Sequence, residues 1–335
     1  MTGRWSAIAA AAALVAAGPI ALHAQGYFGQ NQVQYRHFKW QVIETDHFLV
    51  HYYADERRAA LDAARLAERA YARLSRVLAH EFHDKKPIIV FASRADFGQN
   101  NVTGDLGEGT GGVTEPLRDR MLLPFTGDYR SFEHVITHEM VHEFQFDIFQ
   151  RGRGPAGGLS TLAAVNPPLW FMEGMAEYLS IGPDDPHTAT VIRDAALNGN
   201  LPSVRQMTER PDLFFPYRYG ESLWAYVGAR WGDDVIGAIM TDAPAVGVAG
   251  ALERETGLTL DELSDDWQYA MRVRYLPPVA HMQRPRTFSQ PLLTERRSGG
   301  QIFLAPSLSP DGKYIPFLSN GSLLRGHVSI HLWLA

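Results

Sequence analysis

Hydrophobic and polar positions alternate with two distinct periods along this chain, and the period changes mark its elements. From Phe38 to Tyr53, apolar residues recur at every second position (Trp40 and Val42, then Phe48, Val50 and Tyr52) around Glu44-Thr45-Asp46, predicting two strands joined by a turn. From Ala54 to Phe82 the period lengthens to that of a helix. Ala63, Ala67, Ala70, Tyr71, Leu74, Val77 and Leu78 fall on one stripe, and Arg65, Glu68, Arg69, Arg73 and Arg76 face the other way. Lys86 to Ser93 holds a continuous apolar run expected of a buried strand. Residues 104–116 are glycine-rich and read as a loop, followed by a strand from Asp119 to Pro124. Because proline cannot donate to a ladder, that strand is expected to end there or to lie at a sheet edge, where it could pair with an extended substrate backbone.

A second helix is predicted from Asp128 or Ser131, both good caps, past Phe146, with Phe132, Val135, Ile136 and Phe144 inward. Gly152 to Pro168 reads as a loop, and Pro168 opens a further helix through Leu179. Thr188 to about Tyr275 is largely helical, with breaks at Leu201-Pro202, Pro211 to Pro216 and Gly257. The expected architecture is α+β: a small N-terminal sheet with its helix, then a mainly helical half. Residues 279–300 suit a linker, and Ala305 to Ser319 predicts a β-hairpin turning at Pro310-Asp311-Gly312.

Composition narrows the class of protein. The chain has 335 residues, 45% hydrophobic and 20% charged, as in water-soluble globular proteins. A formal charge of −6 without a sustained Lys/Arg run argues against a nucleic-acid partner. The amino terminus has the pattern of a secretory signal over residues 1–24: Arg4, the apolar run Ala7 to Ala17, and a small residue at Ala24. Gly18-Pro19 interrupts that run, leaving it short of a bilayer span. There are no cysteines, so an exported form has no disulfides to support it. Export to a bacterial periplasm or medium, with residues 25–278 forming the main domain, is the expectation.

Candidate chemistry lies in the second predicted helix, at His138-Glu139-Met140-Val141-His142. Residues four apart share a helix face, so both imidazoles can reach one metal ion, and Glu139 can reach a water held there. Two His ligands leave a catalytic zinc one protein ligand short. His134 and His142 are about 12 Å apart along the axis, too far to share an ion. Gln145 and Ile148 stand where a longer motif would place Gly and His, and Asp147 faces away. Glu173 remains, in a separate helix that antiparallel packing could bring to the His pair.

His138-Glu139-Met140-Val141-His142 followed by Glu173-Gly174-Met175-Ala176-Glu177-Tyr178 resembles the gluzincin (peptidase MA-like) metallopeptidases. The resemblance spans roughly residues 38–275 and is specific at the metal site. It implies a Zn2+ cofactor on His138, His142 and Glu173, with Glu139 as catalytic base acting on peptide or protein substrates. It further implies that Glu177 supports a ligand imidazole, and that Tyr217, in Tyr217-Arg218-Tyr219-Gly220, stabilises the oxyanion. The strand motif that captures a free amino terminus in the family's aminopeptidases is only faintly echoed by Gly112-Val113-Thr114-Glu115. Ser309-Pro310-Asp311-Gly312-Lys313-Tyr314-Ile315 resembles the repeat of TolB-like β-propellers, with Pro316 a departure from it. That implies that residues 301–335 are part of a propeller able, in a longer form, to hold a partner. A non-catalytic envelope scaffold that keeps the peptidase-like fold is the alternative function.

Overall fold

Alternation along the first strands sorts the sheet into two faces. Strands β1 (Gln41–Glu44) and β2 (Phe48–Tyr52) form an antiparallel pair, and β2 sends Phe48, Val50 and Tyr52 inward. Helix α1 (Arg57–Val77) lays its alanine stripe against that face, with Ala60, Ala63 and Ala67 fully buried. Side chains this small let helix and sheet approach closely. Strand β3 (Lys86–Phe91) follows, then the short α2 (Arg94–Gly98), β4 (Val113–Glu115) and β5 (Arg120–Pro124). The computed structural model describes residues 33–53, 56–102, 110–151, 153–300, 302–320 and 330–335; the signal expected over residues 1–24 lies outside these.

The strands form one mixed sheet in the order β1-β2-β3-β5-β4, with β2, β3 and β5 parallel. One expectation is corrected here: Val113–Glu115, inside the stretch read as loop, form β4, which is the edge of the sheet on this flank. Strand β5 ends at Pro124, one of the two outcomes expected for it, and is interior, between β3 and β4. Proline is tolerated there because β4 pairs with β5 only as far as Val113↔Leu122, so position 124 lies beyond the reach of that ladder.

A helical half follows: α3 (Tyr129–Gln150), α4 (Gly154–Val165), α5 (Leu169–Ile181), α6 (Pro186–Asn198), α7 (Val204–Glu209), α8 (Pro216–Trp231), α9 (Asp234–Thr256) and α10 (Leu260–Val279). The architecture is thus mixed, a small sheet followed by a helical majority. Helix α4 replaces the loop expected over 152–168. Its Gly158 lies so close to Gln150 that an added Cβ would fall 2.8 Å from the Gln150 Cα, so this glycine serves helix packing, whereas Gly154, at φ 66°, serves the chain reversal that starts the helix. Helix α9 is long and apolar enough, by length and composition, to cross a membrane. It is kinked at Gly247 (φ 77°), and its Ile236, Ile239, Met240, Ala251 and Leu252 lie in the core.

Helix α3 starts where Asp128 accepts hydrogen bonds from the Arg130 and Ser131 amides, and it is buried on nearly every side. Polar groups on such a helix need partners. On the sheet side, Lys86 of β3 places Nζ 2.6 Å from Asp147, 3.4 Å from Glu143 and 3.6 Å from Asp119. Asp147 also sits 2.6 Å from His80. Burial pushes the Glu143 carboxyl up to about 8 even with Lys86 beside it. This cage leaves the opposite side of α3 to the histidines.

Two compact units divide the chain, one ending at Leu276 and the other running from Pro277. The second unit contains a short helix, α11 (Glu295–Ser298), and a three-stranded antiparallel sheet in the order β6 (Phe303–Leu304), β7 (Pro316–Ser319), β8 (His331–Leu334). The predicted turn joins β6 and β7. The Gly312 amide donates to the Ser309 carbonyl at 2.9 Å, and Gly312 takes the positive φ (71°) that a residue without Cβ accepts most easily. Pro316 opens β7, the position in a strand where a missing donor costs least.

Candidate metal centre

Antiparallel packing of α3 on α5 builds the centre. Down the crossing, His134 Nε2 meets Glu177 Oε1 at 3.1 Å, His142 Nε2 meets Glu173 Oε2 at 3.2 Å, and Gln145 Nε2 donates to the Met172 carbonyl at 3.0 Å. His138 Nε2 lies 3.1 Å from His142 Nε2 and 3.3 Å from the same Glu173 oxygen. Two imidazole nitrogens and a carboxylate oxygen therefore mark a nearly equilateral triangle with sides of 3.1 to 3.3 Å. Donors about 2.0–2.2 Å from a tetrahedral ion are separated by about 3.3–3.5 Å, so the triangle fits a small divalent cation after a slight opening. A nitrogen–nitrogen–carboxylate donor set also has the chemistry that zinc takes in open sites.

Neighbouring groups hold the donors in place. Gln145 Oε1 lies 2.8 Å from His142 Nδ1, and Glu177 Oε1 lies 3.0 Å from His138 Nδ1. A proton on His142 Nδ1, donated to Gln145, leaves the Nε2 lone pair of that ring free for the triangle; the Glu177 approach to His138 Nδ1 is a charge contact outside hydrogen-bond geometry. Arg218, from the first turn of α8, reaches Glu177 Oε2 at 2.9 Å and Glu221 at 3.2 Å. His134, His138 and Glu177 also lie close enough together to form a second grouping of metal-ligand types. The Arg218 charge at Glu177 makes that grouping the poorer cation site.

Electrostatics favour a cation in the triangle. Burial disfavours charge on His138, but Glu173 and Glu177 outweigh it and raise the imidazole to about 10. Burial likewise works against the Glu173 charge, and His142 with His138 outweighs it, holding the carboxyl well below its usual range. Protons and a metal ion would therefore compete for these atoms.

Glu139 is not a corner of the triangle. Its Oε2 accepts a 2.7 Å hydrogen bond from Thr114 Oγ1 of β4, which also lies 3.0 Å from the Glu139 carbonyl. Gly112 admits this approach, since an added Cβ there would fall 2.9 Å from Glu139 Cγ. Tyr217 stacks its ring nearly parallel to His138 (centroids 6.0 Å, 8°). Burial, then the nearby Glu173 charge, raises its hydroxyl well above the ordinary phenol range, so it stays a donor.

The structure thus brings all six sequence-predicted residues to one place: His138, His142, Glu173, Glu139, Glu177 and Tyr217. Sequence reasoning missed Thr114, Gln145 and Arg218. Gln145 had a signal, standing three residues after His142 on the same face. Thr114 had none, because only the tertiary fold brings β4 to α3. No protein-family model matches the chain, and no curated protein matches it. Replacing Gln145 by Leu is expected to free the His142 ring and weaken zinc binding about 10–100-fold, measured by competition with a chromophoric chelator; unchanged affinity would assign Gln145 to packing alone.

Proposed function

We propose that the first unit is an exported, zinc-dependent peptide hydrolase of the gluzincin kind. The observation that supports this most is the convergence of His138 Nε2, His142 Nε2 and Glu173 Oε2, with the Glu139 carboxylate beside it and outside the donor set. A zinc ion held by these three residues would polarise a scissile carbonyl and acidify water. Thr114 ties Glu139 at Oε2, which leaves Oε1 to take a proton from the attacking water and return it to the departing amine. The Tyr217 hydroxyl, kept protonated, donates to the oxygen that gains charge. Gln145 and Glu177 hold the two imidazoles in register. Among the described strands β4 is the last on its flank of the sheet, the position at which an extended peptide or protein substrate could add as a further strand. For the second unit, we propose a TolB-like repeat, on the strength of its Ser309–Lys313 turn between antiparallel strands.

Elemental analysis of the purified protein and of His138→Ala, together with a casein or mixed-peptide cleavage assay, tests this reading. One zinc per chain, lost in the variant, and cleavage by the wild type are expected. Equal zinc in both proteins overturns the ligand set. Bound zinc without cleavage of any peptide favours the non-catalytic scaffold.

A further inference from the structure

The sheet that carries β4 has a second face, turned away from α1 and α3. Val50, Ile88 and Met121 pack into the helical core, so the next residue of each strand points the other way. These residues are His51, Ile89 and Leu122, and the ladder sets them side by side. Thr114, which meets Glu139, belongs to the core face, so the donor triangle lies on the far side of the sheet from them. A cavity of about 570 Å³ opens on the outer face, within the range of small-molecule sites.

The chain itself fixes the walls of this cavity. The buried Gln99 side chain accepts hydrogen bonds from the Tyr35 and Arg36 amides at 2.8 and 3.0 Å, and Gln34 Nε2 donates to the Gln99 carbonyl at 2.6 Å. Arg36 reaches Asp96 at 3.1 Å, and Asp96 also accepts the Tyr53 hydroxyl at 2.6 Å. Residues 34–40 are thereby tied to the turn after α2, and they bring Phe38 and Trp40 over the sheet. The cavity is polarised along the strands. At one end Phe38, Trp40 and Phe91 pack ring to ring, with centroids 5.3 to 6.2 Å apart. At the other end Arg120 lies beside Pro87, one step before the Ile88–Met121 pair, and Arg118 joins it from the turn leading into β5. Pro87 and Phe91 are four residues apart on β3, about 13 Å at about 3.3 Å per residue. No acidic side chain lines the cavity among the described residues, in a chain of net charge −6. Glu115 engages Arg120 at 2.9 Å, whereas Arg118 is exposed and forms no ion pair among the described residues. Burial pushes the His51 imidazole below its ordinary value, so the positive charge offered to a ligand is that of Arg118.

We infer that this cavity binds a small molecule with a flat aromatic body and a carboxylate at one end, its rings among Phe38, Trp40 and Phe91 and its carboxylate at Arg118. Aromatic walls favour stacked or edge-on rings, and a guanidinium matches the two oxygens of a carboxylate. The site is separate from the donor triangle and does not depend on the hydrolase reading.

The probe is biphenyl-4-carboxylate, with biphenyl-4-carboxamide as its neutral counterpart. Both are titrated calorimetrically into the full chain, before and after a chelator has removed metal. The carboxylate is expected to bind about tenfold tighter than the amide, equally in the two preparations. Arg118→Gln should bring the two ligands within about twofold of each other by weakening the carboxylate alone. Trp40→Ala, its fold checked by circular dichroism, should weaken both about fivefold or more. Arg118 is on the surface, so its variant keeps the fold and decides the question even if Trp40→Ala does not fold. No binding of the carboxylate at about millimolar concentration overturns the inference, as do equal affinities for the two ligands. A preference that survives Arg118→Gln overturns it too, and so do unchanged affinities in folded Trp40→Ala. Binding that disappears with the metal would place the carboxylate at the donor triangle and overturn it as well.

Discussion

Glu139→Gln is expected to lower peptide-bond hydrolysis on the order of 10³-fold while leaving zinc content unchanged. Glutamine has the same shape, and its amide oxygen can still accept the hydrogen bond that Thr114 gives to Oε2. Its remaining amide nitrogen can neither take a proton from water nor return one to an amine. The donor triangle consists of other residues, so metal should be retained. The check is kcat on a casein-derived peptide beside metal analysis of the same preparation. Activity within tenfold of wild type would place the base elsewhere. Loss of zinc along with activity would make Glu139 a ligand.

Gly174→Ala is expected to have the largest effect on folding. Helices α5 and α8 cross at Gly174 and Gly220, and a Cβ added at 174 would sit inside the Gly220 backbone, which has no rotamer by which to yield. Overpacking of this sort commonly costs 1–3 kcal/mol, and a backbone-to-backbone clash should lie near the upper end, about 3 kcal/mol. The helices must separate, and they carry Glu173, the neighbour of Gly174, and Tyr217. Zinc affinity should therefore fall with stability, read by urea unfolding and metal titration on the same variant. Gly98→Ala is the control, since a Cβ there meets nothing within 4 Å. If Gly174→Ala unfolds at the same urea concentration as Gly98→Ala, the close crossing is not a constraint.

How legible this molecule was depended on whether a feature is local. The α1 stripe, the Asp128 cap and the His pair were readable because helix periodicity alone decides them. Glu173 was reachable by exclusion among nearby acids, together with the packing that two short-linked helices favour. The fold-dependent parts were harder. Helix α4 hid behind glycines, which usually signal a turn but here let one helix lie against another. The three-residue β4 is too short to show a period, and β5 is interior because it pairs with β4 on one flank and with the more distant β3 on the other. Arg218 was in view beside Tyr217, but its role depends on Glu177 reaching α8 across the helix crossing.

The sheet's outermost strand has a consequence for how the molecule would fail under heat. β4 is three residues long and, among the described strands, paired with β5 alone, which places it among the elements that detach at low free energy. Thr114 leaves with it, and the Glu139 carboxylate is then free to rotate. Catalytic decline on warming should accordingly set in while circular dichroism still reports an intact domain, and cooling should restore it.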